Sequence, residues 1–353
     1  MMTTAPLASF AVVFAVALGL ALGLTPVARW LGVKAGLVDE PRGRHWHGWA
    51  VPRTGGLALY MAFVVAALVA QGLPVERTDS KEIIRLAGLL VGGTLIFLFG
   101  LYDDWREQGP IPQYVAQLLA AAIAVAFLIH IEYVNNPFTG QQTPRFPYAV
   151  TVTVTLFWLG LMMNTVNWMD GLDGLASGVA AIACVVLFVN SVFRLNPPQH
   201  SVALLPVALL GATLGFLPFN FHPARVFLGS SGALFLGFTV GALSIIGGAK
   251  MATILLVMGL PLLDVAWQIV RRVGQGQSPT EGDRGHLHFR LLDVGLSQRQ
   301  IVLGYYAFCA AFGALALVTS SRLFKLVALL VMGLLVGAGF VTLARRGGQS
   351  RPR

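Results

Sequence analysis

Eleven apolar runs divide this chain, each long enough, or nearly so, to cross a bilayer. They centre on residues of about 7–30, 55–73, 84–102, 114–131, 148–167, 174–193, 201–219, 227–247, 251–270, 301–319 and 323–343. Only 11% of the residues are charged, against about 25% in a soluble domain. The expected fold is an all-α polytopic membrane protein of about eleven transmembrane helices. Runs eight and nine are separated by little more than Gly247-Gly248-Ala249-Lys250, so ten or twelve spans are the alternatives. The first run is preceded by Met-Met-Thr-Thr-Ala-Pro, which has no basic residue, and is not a typical cleavable signal. Residues 1–344 read as one membrane domain and 345–353 as a short mobile basic tail. Cys184 and Cys309 fall inside predicted spans, where they read as small packing residues.

The formal net charge of +9 does not indicate nucleic-acid binding, because the basic residues are scattered over short loops. Their distribution sets the topology instead. With eleven spans, 16 of the 24 Lys and Arg fall on the side shared by the odd-to-even loops and the C-terminus. The positive-inside rule makes that side cytoplasmic, with the N-terminus outside; the expected location is the plasma membrane. The same side takes 11 of the 15 acids, counting Asp264 near a span end. That rule says little about acids, so a cytoplasmic active site is the simplest cause of their clustering.

Five segments on that side carry chemistry. The strongest is Asn164-x-x-Asn167-x-x-Asp170-Gly171-x-Asp173-Gly174-Leu-Ala. Ionisable groups beside a span are costly and point to function. Their three-residue spacing lets four polar groups drift around one side of a helix and converge. Asp103-Asp104 closes another span, and adjacent acids there are tolerable when water or a divalent cation screens them. The first loop, with Asp39, Glu40, Arg42, Arg44, His45, His47 and Arg53, offers cations. Phe219-Asn220-Phe-His222-Pro223-Ala224 leads to Gly229-Ser230-Ser231-Gly232, whose backbone N–H groups suit an anion. The last, Asp283-Arg284-Gly-His286-Leu-His288-Phe289-Arg290, combines imidazole and guanidinium groups suited to a phosphate ester. Carboxylates for a hard cation and donors for phosphate together indicate phosphoryl transfer.

These residues resemble the polyprenyl-phosphate N-acetylhexosamine-1-phosphate transferases, from about Gly36 to Gln300. The wording around His286 looks like the branch that uses UDP-N-acetylglucosamine or a related UDP sugar. The resemblance implies a Mg²⁺-dependent reaction, with Mn²⁺ as the alternative ion. A phosphate oxygen of undecaprenyl phosphate attacks the sugar-bound phosphorus of the UDP sugar, and UMP leaves. That implies a first membrane step in envelope polysaccharide synthesis, with a homodimer as a further partnership. By the same resemblance Asp103 orients the lipid phosphate, while Asp104 and Asp170 hold or bias Mg²⁺. A phosphate monoester has a second pKa of about 6, so orientation outweighs base catalysis at Asp103. Asn167 and Asp173 contact the nucleotide or shape its site, and His286, His288 and Arg290 meet the diphosphate. Asp39, Arg44, His47, Asn164 and Asn220 complete the expected binding set.

Several positions depart from the family pattern. His45 stands where the family usually has Lys, Pro112 and Gln113 where it has lysines, and Phe289 where it has His. Ser230 replaces the acid of its Gly-Asp-x-Gly-Ser turn. Serine has no charge to offer Mg²⁺, so the metal site is weakened or rebuilt, with Asp264 or Asp283 as replacement ligands. A homologue that binds these substrates without turnover is therefore the first alternative. A transporter is the second, disfavoured because its ionisable groups would sit at mid-bilayer within a repeat.

Overall fold

The computed structural model of the protein describes residues 4–39, 50–77, 79–246, 250–277, 285–319 and 321–349. Thirteen α-helices, a 3-10 turn at Ala70–Gly72, a π-helical turn at Asn190–Arg194 and one two-stranded ribbon make up the elements among them. The first half holds α1 (Thr4–Lys34), β1 (Val38–Asp39), β2 (Val51–Pro52), α2 (Gly55–Val69), α3 (Glu82–Arg106), α4 (Pro110–Ala126) and α5 (Tyr148–Met169). The second holds α6 (Leu175–Val189), α7 (His200–Asn220), α8 (Gly229–Ile245), α9 (Met251–Val257), α10 (Gly259–Gly274), α11 (Leu287–Asp293), α12 (Gln298–Val318) and α13 (Arg322–Gln349). This is a polytopic all-α membrane protein. Every apolar run of the sequence carries helix over most of its length. Among the described residues eight helices are long and apolar enough to cross a membrane, or nine if α9 and α10 form one broken span. The apolar helices α4 and α8 have 17 residues each, about 26 Å at 1.5 Å per residue.

Three features differ from the sequence reading. The run at 251–270 is two helices, α9 and α10, bent by 78° at Met258. The run at 114–131 stops being helical after Ala126, and Leu128 turns the chain with φ 63°. The basic tail is helical as far as Gln349, as the continuation of α13.

The core centres on α8, where every side chain from Ser231 to Ile245 is buried. Its main neighbours are α3, α5 and α2. Gly100 makes the α3 approach possible: a Cβ there would lie 2.7 Å from Ser231 N and 2.8 Å from Ser230 O. A second tight seam joins α1 to α7. A Cβ at Gly211 would lie 2.7 Å from Phe14 O, and one at Gly215 would lie 2.6 Å from Leu18 O. Small residues four apart let two helix backbones meet in lipid, where packing rather than hydrophobicity drives association.

The packing brings the C-terminal ends of α3, α5 and α7 to the N-terminal ends of α6 and α8. Gly55 N and Gly56 N donate to Phe227 O and Leu228 O at 2.9 Å each, so the start of α2 joins the same end. Cys184 and Cys309 are both buried and unpaired.

Candidate active site

Asp104 lies in the last turn of α3, next to two neighbours that decide its orientation. Its Oδ1 accepts the Ser230 N–H at 2.7 Å and its Oδ2 the Ser231 N–H at 3.0 Å. The carboxylate thus caps α8, satisfying two N–H groups that no helix residue can reach. Asp103, one position earlier, is half-exposed and accepts the Gln108 N–H at 2.9 Å through Oδ1. That bond closes the turn after α3, where Glu107 takes the left-handed conformation.

The Asn-Asp run divides among several partners. Asn164 and Gln117 of α4 exchange two hydrogen bonds, at 2.7 and 3.2 Å, and Asn164 Nδ2 also donates to Gly160 O. A three-residue step rotates a helical position by about −60°, so Asn164 and Asp170 point about 120° apart. The four polar groups therefore do not form one row. Asn167 stays on α5 one turn closer to the end and is half-exposed. Asp170 is the C-cap of α5, and the chain turns there. Burial pushes its carboxyl well above the ordinary carboxylate range, and the charges of Asp104 and Asp173 push it the same way. Asp173 Oδ2 receives the Ala224 N–H at 3.0 Å and lies 2.8 Å from His222 Nδ1. It ties the α5–α6 turn to the α7–α8 turn. Asn220 does related work from the end of α7, accepting from Ser177 Oγ at 2.8 Å and donating to Val226 O at 3.1 Å.

The histidine segment packs against this turn. A Cβ at Gly171 would lie 2.8 Å from His288 Nε2 and 2.9 Å from Phe289 Cζ. His286 and His288 stack, with ring centroids 5.5 Å apart and planes within 10°. Trp168, two residues before Asp170, lies 5.9 Å from the His286 ring. Burial lowers the His288 pKa to about 3, so this ring is neutral at physiological pH. Arg290 donates to Gly285 O at 2.8 Å and lies over Phe340 of α13 at 5.8 Å. From α12, the Tyr306 hydroxyl donates to Gly174 O.

The first loop enters and leaves through the β1–β2 ribbon, which pairs Val38 with Pro52 and Asp39 with Val51. Arg53 Nη2 meets Asp39 Oδ1 at 2.6 Å and Nη1 meets Glu107 Oε1 at 3.1 Å. This links the first loop to the turn after Asp103. Arg44, His45, His47 and Asp283 lie outside the described residues.

Gln117, Arg53, Tyr306 and Asp264 escaped the sequence reading of the site or were given another part in it. Asp264 is bonded to His286 and to Leu287 N, at 2.9 and 2.8 Å. Gln117 and Tyr306 carry no motif signal, since their partners are 47 and 132 residues distant, while Arg53, read only as one cation of the first loop, joins Asp39 across 14 positions and Glu107 across 54.

A helical membrane bundle with one acidic, histidine-bearing end is the class this architecture defines. A family model described as glycosyl transferase family 4 matches residues 86–248. The probable undecaprenyl-phosphate N-acetylglucosaminyl 1-phosphate transferase of Bacillus subtilis (strain 168) is 32% identical over 317 residues, covering 88% of this chain and 85% of that protein. The decaprenyl-phosphate N-acetylglucosaminephosphotransferase of Mycolicibacterium smegmatis is 35% identical over 310 residues, covering 81% and 76%. The phospho-N-acetylmuramoyl-pentapeptide-transferase of Bacillus subtilis (strain 168) is 30% identical over 301 residues, covering 80% and 88%. The chain belongs to glycosyl transferase family 4, among the polyprenyl-phosphate N-acetylhexosamine-1-phosphate transferases.

Proposed function

We propose that the protein transfers N-acetylglucosamine-1-phosphate from UDP-N-acetylglucosamine to undecaprenyl phosphate, releasing UMP, on the cytoplasmic face of the plasma membrane. The product would enter envelope polysaccharide synthesis. The observation that carries this reading is the meeting of Asp104, Asp170 and Asp173 with the His286–His288 segment at one end of the bundle. Two of the relatives named above are transferases named for undecaprenyl or decaprenyl phosphate, and they supply the substrate class.

In this reading an oxygen of the lipid phosphate forms a bond to the sugar-bound phosphorus. The bond from that phosphorus to the bridging oxygen breaks, and UMP leaves with that oxygen. Phosphoryl transfer is mostly positioning and charge neutralisation. Asp103, half-exposed at the end of α3, would orient the lipid phosphate. Nε2 of His286 would meet the diphosphate, and Asn167 would meet the nucleotide.

The donor set also suits a divalent ion. Among the described residues no three of His, Cys, Asp and Glu are grouped to hold a metal by themselves. Mg²⁺ usually needs only one or two carboxylates, with substrate phosphates and water completing its shell. Asp170, crowded by the charges of Asp104 and Asp173, would hold it, helped by the lone pairs of Asp104 not used on α8. When bound, the ion would neutralise the phosphate charge.

One observation favours a second reading. Ser230 stands where the family pattern has an acid, and its backbone engages Asp104. A protein that binds these substrates without turnover would be built in this way. UMP release by the purified protein, with UDP-N-acetylglucosamine, undecaprenyl phosphate and Mg²⁺, separates the two. Release that requires all three components and is lost in Asp103→Asn supports the transferase. Nucleotide binding without release across a panel of UDP sugars supports the second reading.

A further inference from the structure

Asp264 stands on α10, in the second half of a broken apolar segment, where an acid is costly without partners. It is 4% exposed. Its Oδ1 accepts the Leu287 N–H at 2.8 Å. Its Oδ2 lies 2.9 Å from His286 Nδ1 and 4.0 Å from His288 Nδ1. One carboxylate thus holds the first turn of α11 and one edge of each histidine. These contacts direct its charge toward the histidines, away from the role of a replacement ligand for a cation.

We propose that Asp264 is a positioning residue for the transfer reaction, acting through His286. The inference rests on the transferase reading above. An ionised carboxylate can only accept, so Nδ1 of His286 carries the proton and Nε2 is the ring's one remaining polar atom. An imidazole without this bond can turn over and present either nitrogen. The Asp264 bond removes that freedom, while Trp168 and His288 hold the ring on its other sides. The Leu287 bond sets where α11 begins, and with it the seat of His288 against Gly171. A small cavity under the rings is lined by Thr165, Asp264, His286, His288 and Tyr305. Buried Thr165 Oγ1 and Tyr305 Oη line it without a hydrogen bond to either ring, whereas Asp264 is bonded to His286.

The test uses the full-length protein in detergent and the UMP-release assay. The variants are Asp264→Asn, Asp264→Glu, His286→Gln and the double Asp264→Asn/His286→Gln. Asp264→Asn should lower kcat about 10–100-fold, taking as the scale the loss of a carboxylate behind a metal-bound histidine. KM for both substrates should stay within about two-fold, since no substrate contact is lost. Asp264→Glu should fall between Asp264→Asn and the unaltered protein. The double variant should be no slower than His286→Gln alone, because both changes act through one ring. Losses that multiply in the double variant, or a raised KM with kcat unchanged, overturn the proposal. If Asp264→Asn does not fold, a reduced kcat at constant KM in Asp264→Glu supports it and an unaltered kcat overturns it. If the unaltered protein releases no UMP, the transferase reading fails and takes this inference with it. That result is distinct from an active protein indifferent to Asp264.

Discussion

Asp104 and Ser230 meet across 126 positions of chain, with the carboxylate Oδ1 accepting the Ser230 N–H at 2.7 Å. The acid at the end of one helix supplies the cap of another. A charge read from the sequence as a cation ligand therefore also joins α3 to the buried α8. Charge-assisted bonds of this kind are among the stronger ones in proteins.

Asp104→Ala should consequently weaken the fold as well as the chemistry. Losing a helix cap costs about 0.5–2 kcal/mol, and two α8 donors are left without an acceptor. The melting temperature in detergent should fall by a few degrees and UMP release should be lost. An unchanged melting temperature would mean that the cap bears no weight.

Ser230→Asp restores an acid at the start of α8, directly beside Asp104. The helix dipole favours a charge there by about 0.3–1 kcal/mol, but two carboxylates in one place repel. The variant should melt below the unaltered protein without divalent ions and recover on addition of Mg²⁺. Ligand binding to the folded state stabilises it by mass action. The measurement is a melting curve with and without Mg²⁺, and a response equal to that of the unaltered protein counts against a cation at this end.

Gly171→Ala would place a Cβ 2.8 Å from His288 Nε2. That ring is 1% exposed and has little room to yield. The expected outcome is a loss of UMP release by about ten-fold or more, in line with sub-ångström demands on catalytic geometry. Steady-state kinetics beside a melting curve would distinguish this from global unfolding.

Stability should also depend on His288. Burial holds its pKa at about 3, whereas an unfolded histidine titrates at about 6.5. Between those values the unfolded chain takes a proton that the folded chain refuses. Its contribution is therefore complete above about pH 6.5 and shrinks as the pH falls toward 3. The melting temperature of His288→Gln should drop less between pH 7.5 and 5 than that of the unaltered protein. Parallel curves would refute the assignment.

All eleven apolar runs carry helix over most of their length, because about 20 apolar residues in a row leave few other solutions in lipid. The bend at Met258 does carry a local mark, Gly259-Leu-Pro261, which breaks one helix and opens the next, but a run read for apolarity alone passes over it. Site residues were legible as types and positions, because acids beside spans are rare. Their working partners were not. Asp173 acts on Ala224, Asn220 on Ser177 and Asn164 on Gln117, all on other elements. Such pairs depend on which helix ends meet, and the local pattern carries no record of that. Asp264 shows the same limit, since its acid is visible in the sequence but its histidine partner is not.

The seam between α1 and α7 has a consequence for how this chain can vary over generations. At Gly211 and Gly215 the facing backbone occupies the space of any side chain. Drift there is closed even though neither residue touches a reacting group. The lipid-facing side of α13, where Leu334 is 75% exposed, meets no such limit and accepts any apolar exchange. Inherited variation should thus be partitioned by helix spacing as much as by chemistry, with two plain glycines as immovable as an aspartate.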